Sequence, residues 1–316
     1  MRSPQGAAVA VRSQDGDIVA KRLNTRLIGD RGPIWKKPVF RGAANLIDTL
    51  RLGLAGLTWS ADMAEPDREG GSSGSGFSGF LSTAAAFVLA LVLFAWLPLQ
   101  ASMWTVGESS QITIHLLAGL YRVAAFFLYI AAISLMPDVR RLFAYHGAEH
   151  QTIHAFEGAP SNGSRTDGEE LLDAAVEESP LHQRCGTSFL LLVMLATILF
   201  YAILDTVVVL AFGRAPGAAV RILYHLPLIP LVLGLSYETL KLADRHLETS
   251  ALARAATAPG LLLQKLTTRR AGREMVEVAI ASLRLSLGEE SVPGVRLIRP
   301  EEDREPEGSG DSDESH

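Results

Sequence analysis

Three features of the sequence predict an α-helical polytopic membrane protein, with about four transmembrane helices and a small cytoplasmic α+β portion that opens on a β-hairpin. Apolar runs of roughly 20 residues, nearly free of charge, recur four times. Lys and Arg are concentrated in alternate connections between those runs. An Asp-Gly pair sits between two β-prone runs near the N-terminus. Bulk composition conceals this plan: 48% hydrophobic and 20% charged over 316 residues is ordinary for a globular protein. The net charge of −5 excludes a generic nucleic-acid binder. A single cysteine excludes an intrachain disulfide framework or a Cys-rich zinc module.

The first cytoplasmic segment is 1–61. Within it, Ala8 to Arg12 and Asp17 to Lys21 flank Asp15-Gly16, where glycine accepts the positive φ of a tight turn. Ala43, Leu46, Ile47, Leu50, Leu54 and Leu57 then recur at helical spacing. That helix is expected either on the membrane surface or against the cytoplasmic loop. Residues 62–76 read as a Gly/Ser-rich linker. No signal peptide is expected ahead of the first apolar run, which therefore directs insertion itself.

Residues 77–136 hold the first two spans, Phe77 to Leu97 and Ile112 to Met136. Residues 188–236 hold the third, Ser188 to Phe212, and a shorter fourth, Ala219 to Ser236. Arg122 and Asp205 fall inside spans, where charge is expensive and faces an interior partner, so the two are candidates to pair with each other. Residues 1–76 carry eleven Lys and Arg, 98–111 none, 137–187 four, 213–218 one, and 237 onward eleven. Basic connections stay in the cytoplasm. Both termini and the loop 137–187 are therefore expected there, with the protein a multi-pass protein of the inner (plasma) membrane. Residues 237–299 form a cytoplasmic helical segment, with a helix over Lys241 to Ala256 broken by Pro259-Gly260 and an amphipathic helix over 274–287. Residues 300–316, with eight acids and one Arg, form an acidic disordered tail.

Four of the eight histidines, His146, His150, His154 and His182, fall in the loop 137–187. The core reads His146-Gly147-Ala148-Glu149-His150, an H-x-x-E-H pattern. On a helix, residues i and i+4 share a face, so two imidazoles can hold one ion while the intervening Glu149 handles a proton. A catalytic zinc site takes three protein ligands. Candidates for the third are His182, Asp173, Glu177, Cys185 and Glu238. His182 and Cys185 lie at the mouth of the third span, Glu238 at the mouth of the fourth, and the HxxEH helix follows the second. Cys185 is also a candidate nucleophile, because a helix start lowers a thiol pKa.

Tyr145 to Thr152 (YHGAEHQT), followed by LHQRCGTSFLL from Leu181, LSYE from Leu235, APGLLLQKLTT from Ala258 and EVAIASL from Glu277, resembles the YqhQ-like bacterial membrane proteins. KPVFRGAANLIDTLRLGLAGLTWSA resembles that family's Pro-Phe/Val-Arg-Gly helix, and the likeness runs from about Ala8 to Leu287. This family is a domain of unknown function commonly described as predicted metal-dependent enzymes. The resemblance implies a multi-span membrane protein with a cytoplasmic metal-site candidate at His146, Glu149, His150, His182 and Cys185. It also implies an opening GGQAVIEGVMMR segment, where this chain has Met1-Arg2-Ser3-Pro4. Gln183 stands for the usual Pro of LHPRCGTS, Gln151 for a common Lys, Asp173-Ala174 for Glu-Asn, and Arg270-Ala271 for Glu-Pro.

Two functions follow as expectations. One is a metal-dependent hydrolase at the cytoplasmic membrane face. His146 and His150 bind zinc or another divalent ion, Glu149 acts as general base, and His182 or a carboxylate (Asp173, Glu238) completes the shell. Its substrate is expected at the membrane boundary, a lipid head group, a membrane-protein segment or a small molecule. The alternative is a non-catalytic assembly or scaffold protein whose His, Glu and Cys cluster is a structural polar network. An ion transporter using Arg122, Asp205 and His225 is a third reading. Membrane lipids are the expected surroundings, and nucleic acid is not an expected partner.

Overall fold

The computed structural model describes residues 1–23, 27–64, 76–107, 111–158, 168–182, 185–213, 216–246 and 249–298. Four helical stretches are long and apolar enough to cross a membrane: Leu81–Val106, Ile112–Ile133, Gly186–Phe212 and Leu223–Arg245. The predicted linker lies outside the described residues over 65–75, and the acidic tail lies outside them entirely.

The first span departs most from expectation. Helix α2 (Gly76–Leu91) passes through a π-helical turn at Val92–Trp96 into α3 (Leu97–Val106), so the span ends at residue 106 rather than 97. Residues 98–106 had read as an external turn, yet they carry no charge. Pro98 also sits in the first turn of the renewed α-helix, where its missing N–H does least harm. Pro98 nevertheless offers no N–H to the carbonyl four residues back, that of Phe94. Arg122 of α4 (Gln111–Ile133) donates its Nε–H to that carbonyl at 3.2 Å. The intramembrane arginine thus satisfies a backbone group that lipid could not.

Helix α7 (Gly186–Phe212) is the third span and ends on Gly213, whose φ of 69° is left-handed. It meets α4 where a Cβ on Gly119 would overlap the Ile198 side chain. The fourth span is built from α8 (Ala218–His225), a 3-10 turn at Leu226–Leu228, and α9 (Ile229–Arg245). Asp205 of α7 does not pair with Arg122. It accepts hydrogen bonds from Tyr224 and, at 2.9 Å, from His225 Nε2, and Arg221 Nε lies 3.8 Å away. The pairing expected from the two charges fails because each has partners of its own, the Phe94 carbonyl for Arg122 and the side chains of α8 for Asp205.

Outside the spans, α5 (Pro137–Glu157) follows α4 directly, with α6 (Gly168–Glu177), α10 (Ala251–Thr267) and α11 (Arg273–Ser286) beyond. The helix over Ala251–Thr267 runs through Pro259-Gly260, which does not break it. The break falls instead before Ser250, whose hydroxyl caps the new helix by accepting from the Ala253 N–H at 3.3 Å. Gly260 is required by packing, since a Cβ there would come within 2.5 Å of Ser188.

The hairpin forms as its sequence implies. Strands β1 (Ala7–Arg12) and β2 (Ile18–Leu23) pair antiparallel about Gly16, whose φ is 92°. A third strand, β3 (Val295–Leu297), adds parallel to β2, inside a stretch expected to be helical. Helix α11 underlies both halves of this portion. Val276, Ala279, Ile280 and Leu283 pack with α5 and α6, while Ala281 and Leu285 pack with Ala8 and Ala20 of the sheet. The hairpin, the loop after α4 and the C-terminal segment therefore share one core, at the end of the bundle where α4 ends and α7 begins.

Candidate metal centre

Helix α5 starts with Pro137 at its first position and runs 21 residues. The period of 3.6 places His146, His150 and His154 on one face. The chain that joins α10 to α11 crosses this helix at Gly147, where a Cβ would overlap the Arg269 carbonyl. The Arg269 N–H donates to the Phe143 carbonyl at 3.0 Å, which fixes the crossing. Ala148, also small, is fully buried.

This approach orients the first imidazole. His146 Nδ1–H donates to the Thr267 carbonyl at 2.9 Å, because a carbonyl can only accept. His150 Nδ1–H donates in the same way to the Pro180 carbonyl at 2.6 Å. Each ring is left with an unprotonated Nε2. His146 Nε2 lies 3.3 Å from Cys185 Sγ. Ligand atoms of His146, His150 and Cys185 all fall within 4.8 Å of one another, so the three could hold one metal ion. His150 and Cys185 are buried and His146 is half-buried. Imidazoles that ligate metals typically give their second N–H to a carbonyl, as both do here.

Cys185 is the N-cap of α7. Burial alone would push its thiol up, but hydrogen bonds from His146 and His150, with their charge, bring it down from 9.0 to about 5. For His146, burial works downward, but the Cys185 hydrogen bond and charge, the Thr267 carbonyl and Glu149 raise it above the ordinary imidazole value. Cys185 Sγ also lies 3.1 Å from the Thr187 hydroxyl.

The remaining candidates lie apart from this trio. The His182 ring is 5.6 Å from that of His150 and 4.7 Å from that of His154, and its Nε2 is 3.8 Å from Glu157. His154 Nε2–H donates to the Leu181 carbonyl at 2.8 Å. Glu149 sits on the flank of α5 with its side chain 41% exposed, 3.9 Å from the Met1 amino group. Asp173 pairs with Arg273 at 2.5 Å and Glu177 with Arg270 at 3.2 Å, both on the surface. Glu238 forms a two-pronged pair with Arg41. The structure thus brings together His146, His150 and Cys185, and leaves His182, Glu149, Asp173 and Glu238 outside the cluster.

Two amides hold the surroundings together, and sequence reasoning missed both. Gln264 Nε2 donates to the His182 carbonyl and to Ser188 Oγ, both at 2.7 Å, while its Oε1 accepts from the His182 N–H at 2.8 Å. Gln151 donates to the carbonyls of Ala175 and Val176 and accepts from the Ala271 N–H. Both are fully buried. An amide in the apolar run Leu261-Leu262-Leu263-Gln264 was a signal, since an unsatisfied buried amide is costly.

The chain matches, over residues 37–289, the family described as "Protein of unknown function (DUF1385)". It is 30% identical over 289 residues to the "Uncharacterized protein YqhQ" of Bacillus subtilis (strain 168), covering 86% of this chain and 84% of that protein. No solved structure matches.

Proposed function

The chain belongs to the DUF1385 family of proteins of unknown function, and we propose that it is a membrane protein built around a His146, His150 and Cys185 metal centre that supports metal-dependent hydrolysis at the membrane surface. One observation carries this reading: three ligand atoms converge within 4.8 Å while the far nitrogen of each imidazole is tied to a backbone carbonyl. A Cys and two His suit zinc, and three protein ligands leave one position open, as in catalytic sites.

A bound divalent ion would supply Lewis acidity toward a carbonyl or phosphoryl oxygen. The residues supply the rest. Thr267 and Pro180 hold the imidazoles in the tautomer that exposes Nε2. The N-terminus of α7 favours the thiolate of Cys185. Glu149, whose charge acts on His146, would take up a proton from a reacting water. The basic excess of the N- and C-terminal segments supports a cytoplasmic position for this end, in the inner membrane. A lipid head group or a membrane-protein segment is then the nearest substrate class.

Metal analysis of detergent-purified protein tests the centre. Wild type is expected to retain about one equivalent of metal per chain, the stoichiometry of a single three-residue ligand set. His146→Ala/His150→Ala is expected to retain none, and equal content in the two would sink the assignment.

A second reading has its own support. A small crevice among the described residues is lined by Ser188, Leu192, Leu240, Thr257, Pro259 and Gly260 and not by the His/Cys trio. Gln151 and Gln264 meanwhile saturate the backbone around that trio. This favours a non-catalytic scaffold in which the ion, or the polar network alone, locks the cytoplasmic portion to the bundle. Cobalt(II)-substituted protein separates the two: small anions perturb its visible spectrum if a coordination position is open and leave it unchanged if the shell is closed.

A further inference from the structure

Helix α1 (Phe40–Ala64) carries two apolar faces, and only one of them is used inside the protein. The inner face presents Ala44, Asp48, Leu52 and Trp59, all buried. Asp48 accepts the Ile28 N–H at 3.0 Å, and Lys21 lies over the Trp59 ring at 5.0 Å, so this face is fully engaged by the hairpin portion. The outer face presents Ile47, Leu50, Leu54 and Leu57, which are 41%, 56%, 68% and 52% exposed. Their spacing of three, four and three residues makes one continuous stripe along the helix. A row of four large aliphatic side chains on a helix whose other side is already buried needs a second apolar environment.

The position of α1 identifies that environment. Its N-terminal turn is pinned against α9 of the fourth span. A Cβ on Gly42 would come within 2.9 Å of the Gly234 and Tyr237 atoms of α9, and Arg41 pairs with Glu238. Exposed apolar residues continue from the stripe onto α9 itself, at Leu235. Ile34, just before α1, and Phe40, its first residue, are exposed near Trp35, Lys36 and Lys37, the aromatic and basic mixture found at head-group level. Arg31 and Arg51 are exposed as well, whereas the acidic Asp48 is turned inward. The exposed Arg31, Lys36, Lys37 and Arg51, against Asp62 as the exposed acid of α1, complement an anionic lipid surface.

We propose that α1 is an interfacial helix whose Ile47, Leu50, Leu54 and Leu57 stripe is immersed among the lipids at the bilayer surface, so that the cytoplasmic portion is held against the membrane as well as tethered to it. The helix lies in the plane of the membrane and connects the hairpin portion to the first span.

Site-directed spin labelling of the full chain tests this in vesicles of phosphatidylcholine with phosphatidylglycerol. Labels are placed at Leu50→Cys and Leu54→Cys, with Leu199→Cys in the third span as the lipid reference, Asp17→Cys at the hairpin turn as the water reference, and the wild-type chain, whose one thiol is Cys185, carried through the same labelling as the blank. The readout is collision with oxygen, which concentrates in lipid, against collision with a nickel chelate, which stays in water. Sites 50 and 54 are expected to show a several-fold oxygen preference like site 199. A preference for nickel like that at site 17 overturns the proposal. Shielding from both reagents overturns it too, since it places a second copy or another protein over the stripe. Because the labels lie on the outer face, folding is preserved, and retention of the wild-type melting temperature checks this for each variant.

Discussion

The two ends of the helical bundle each gather buried polar groups, and they differ in what those groups have left to offer. At the end where α7 begins, His146 and His150 spend their Nδ1–H groups on carbonyls and turn their Nε2 atoms toward Cys185. At the end where α7 finishes, Asp205 is the acceptor for Tyr224 and His225 with Arg221 beside it, and its ligand capacity is consumed by donors from α8. Similar residue types therefore give an open ligand set at one end and a closed helix-to-helix clasp at the other. The backbone decides the difference: carbonyls from Pro180 and Thr267 occupy the outer imidazole nitrogens at the first end, and no such anchors pre-empt His225 at the second.

The largest expected effect is on metal content. His146→Ala/His150→Ala should abolish retained metal, while Asp205→Asn should leave it at the wild-type level, both read by elemental analysis of purified protein. Asp205→Asn should instead lower stability by about 1–2 kcal/mol, the range for polar contacts between transmembrane helices. If Asp205→Asn strips the metal as well, the two ends are coupled and the contrast collapses.

Next comes the thiol. In chelator-treated protein Cys185 should show thiolate absorbance that disappears as pH falls to about 5, not at 9.0, because hydrogen bonds from His146 and His150 hold the anion. The sign follows from the depressed value: the thiolate is present at neutral pH and is lost as pH falls through the folded value. His146→Ala should move the transition upward, whereas Asp205→Asn should not.

Gly147→Ala should act on the first end alone. The new Cβ would strike the Arg269 carbonyl, which is backbone and cannot rotate away. Overpacking of this kind destabilises by about 1–3 kcal/mol. Here it should also loosen the Thr267 anchor of His146, so metal retention falls together with melting temperature. Gly53→Ala, at an exposed glycine within α1 with open space around it, is the control and should leave metal retention unchanged and raise rather than lower the melting temperature.

Much of this arrangement was legible in the residues. Uncharged runs of bilayer length marked the spans, and the Asp15-Gly16 pair marked the hairpin. H-x-x-E-H marked two of the three converging groups, and Cys185 was among the candidates for the third. The parts that were not legible depend on long-range backbone. Val295–Leu297 is too short and too isolated for alternation to announce a strand, and only the edge of β2 makes it one. Pro259 reads as a helix breaker, yet packing of Gly260 on Ser188 overrides local propensity. Asp173 and Glu238 carry the right chemistry for ligands but are drawn into ion pairs by Arg273 and Arg41, partners 100 and 197 residues away in sequence.

The smallest predicted effect concerns the one charge that belongs to neither end. Arg122 lies midway along α4 and donates to the carbonyl of Phe94, which Pro98 cannot serve. If that is why an arginine is tolerated there, its value depends on the proline. Arg122→Met should destabilise the wild-type background, and it should do so less when Pro98→Ala restores the helical N–H. The coupling in a double-mutant cycle should be about 0.6 kcal/mol, the mean for single hydrogen bonds between transmembrane helices. A cycle that closes to zero would mean that Arg122 answers to some other partner, and would return it to the polar groups around Asp205. A coupling of the expected sign keeps Arg122 as backbone repair, separate from the clasp around Asp205.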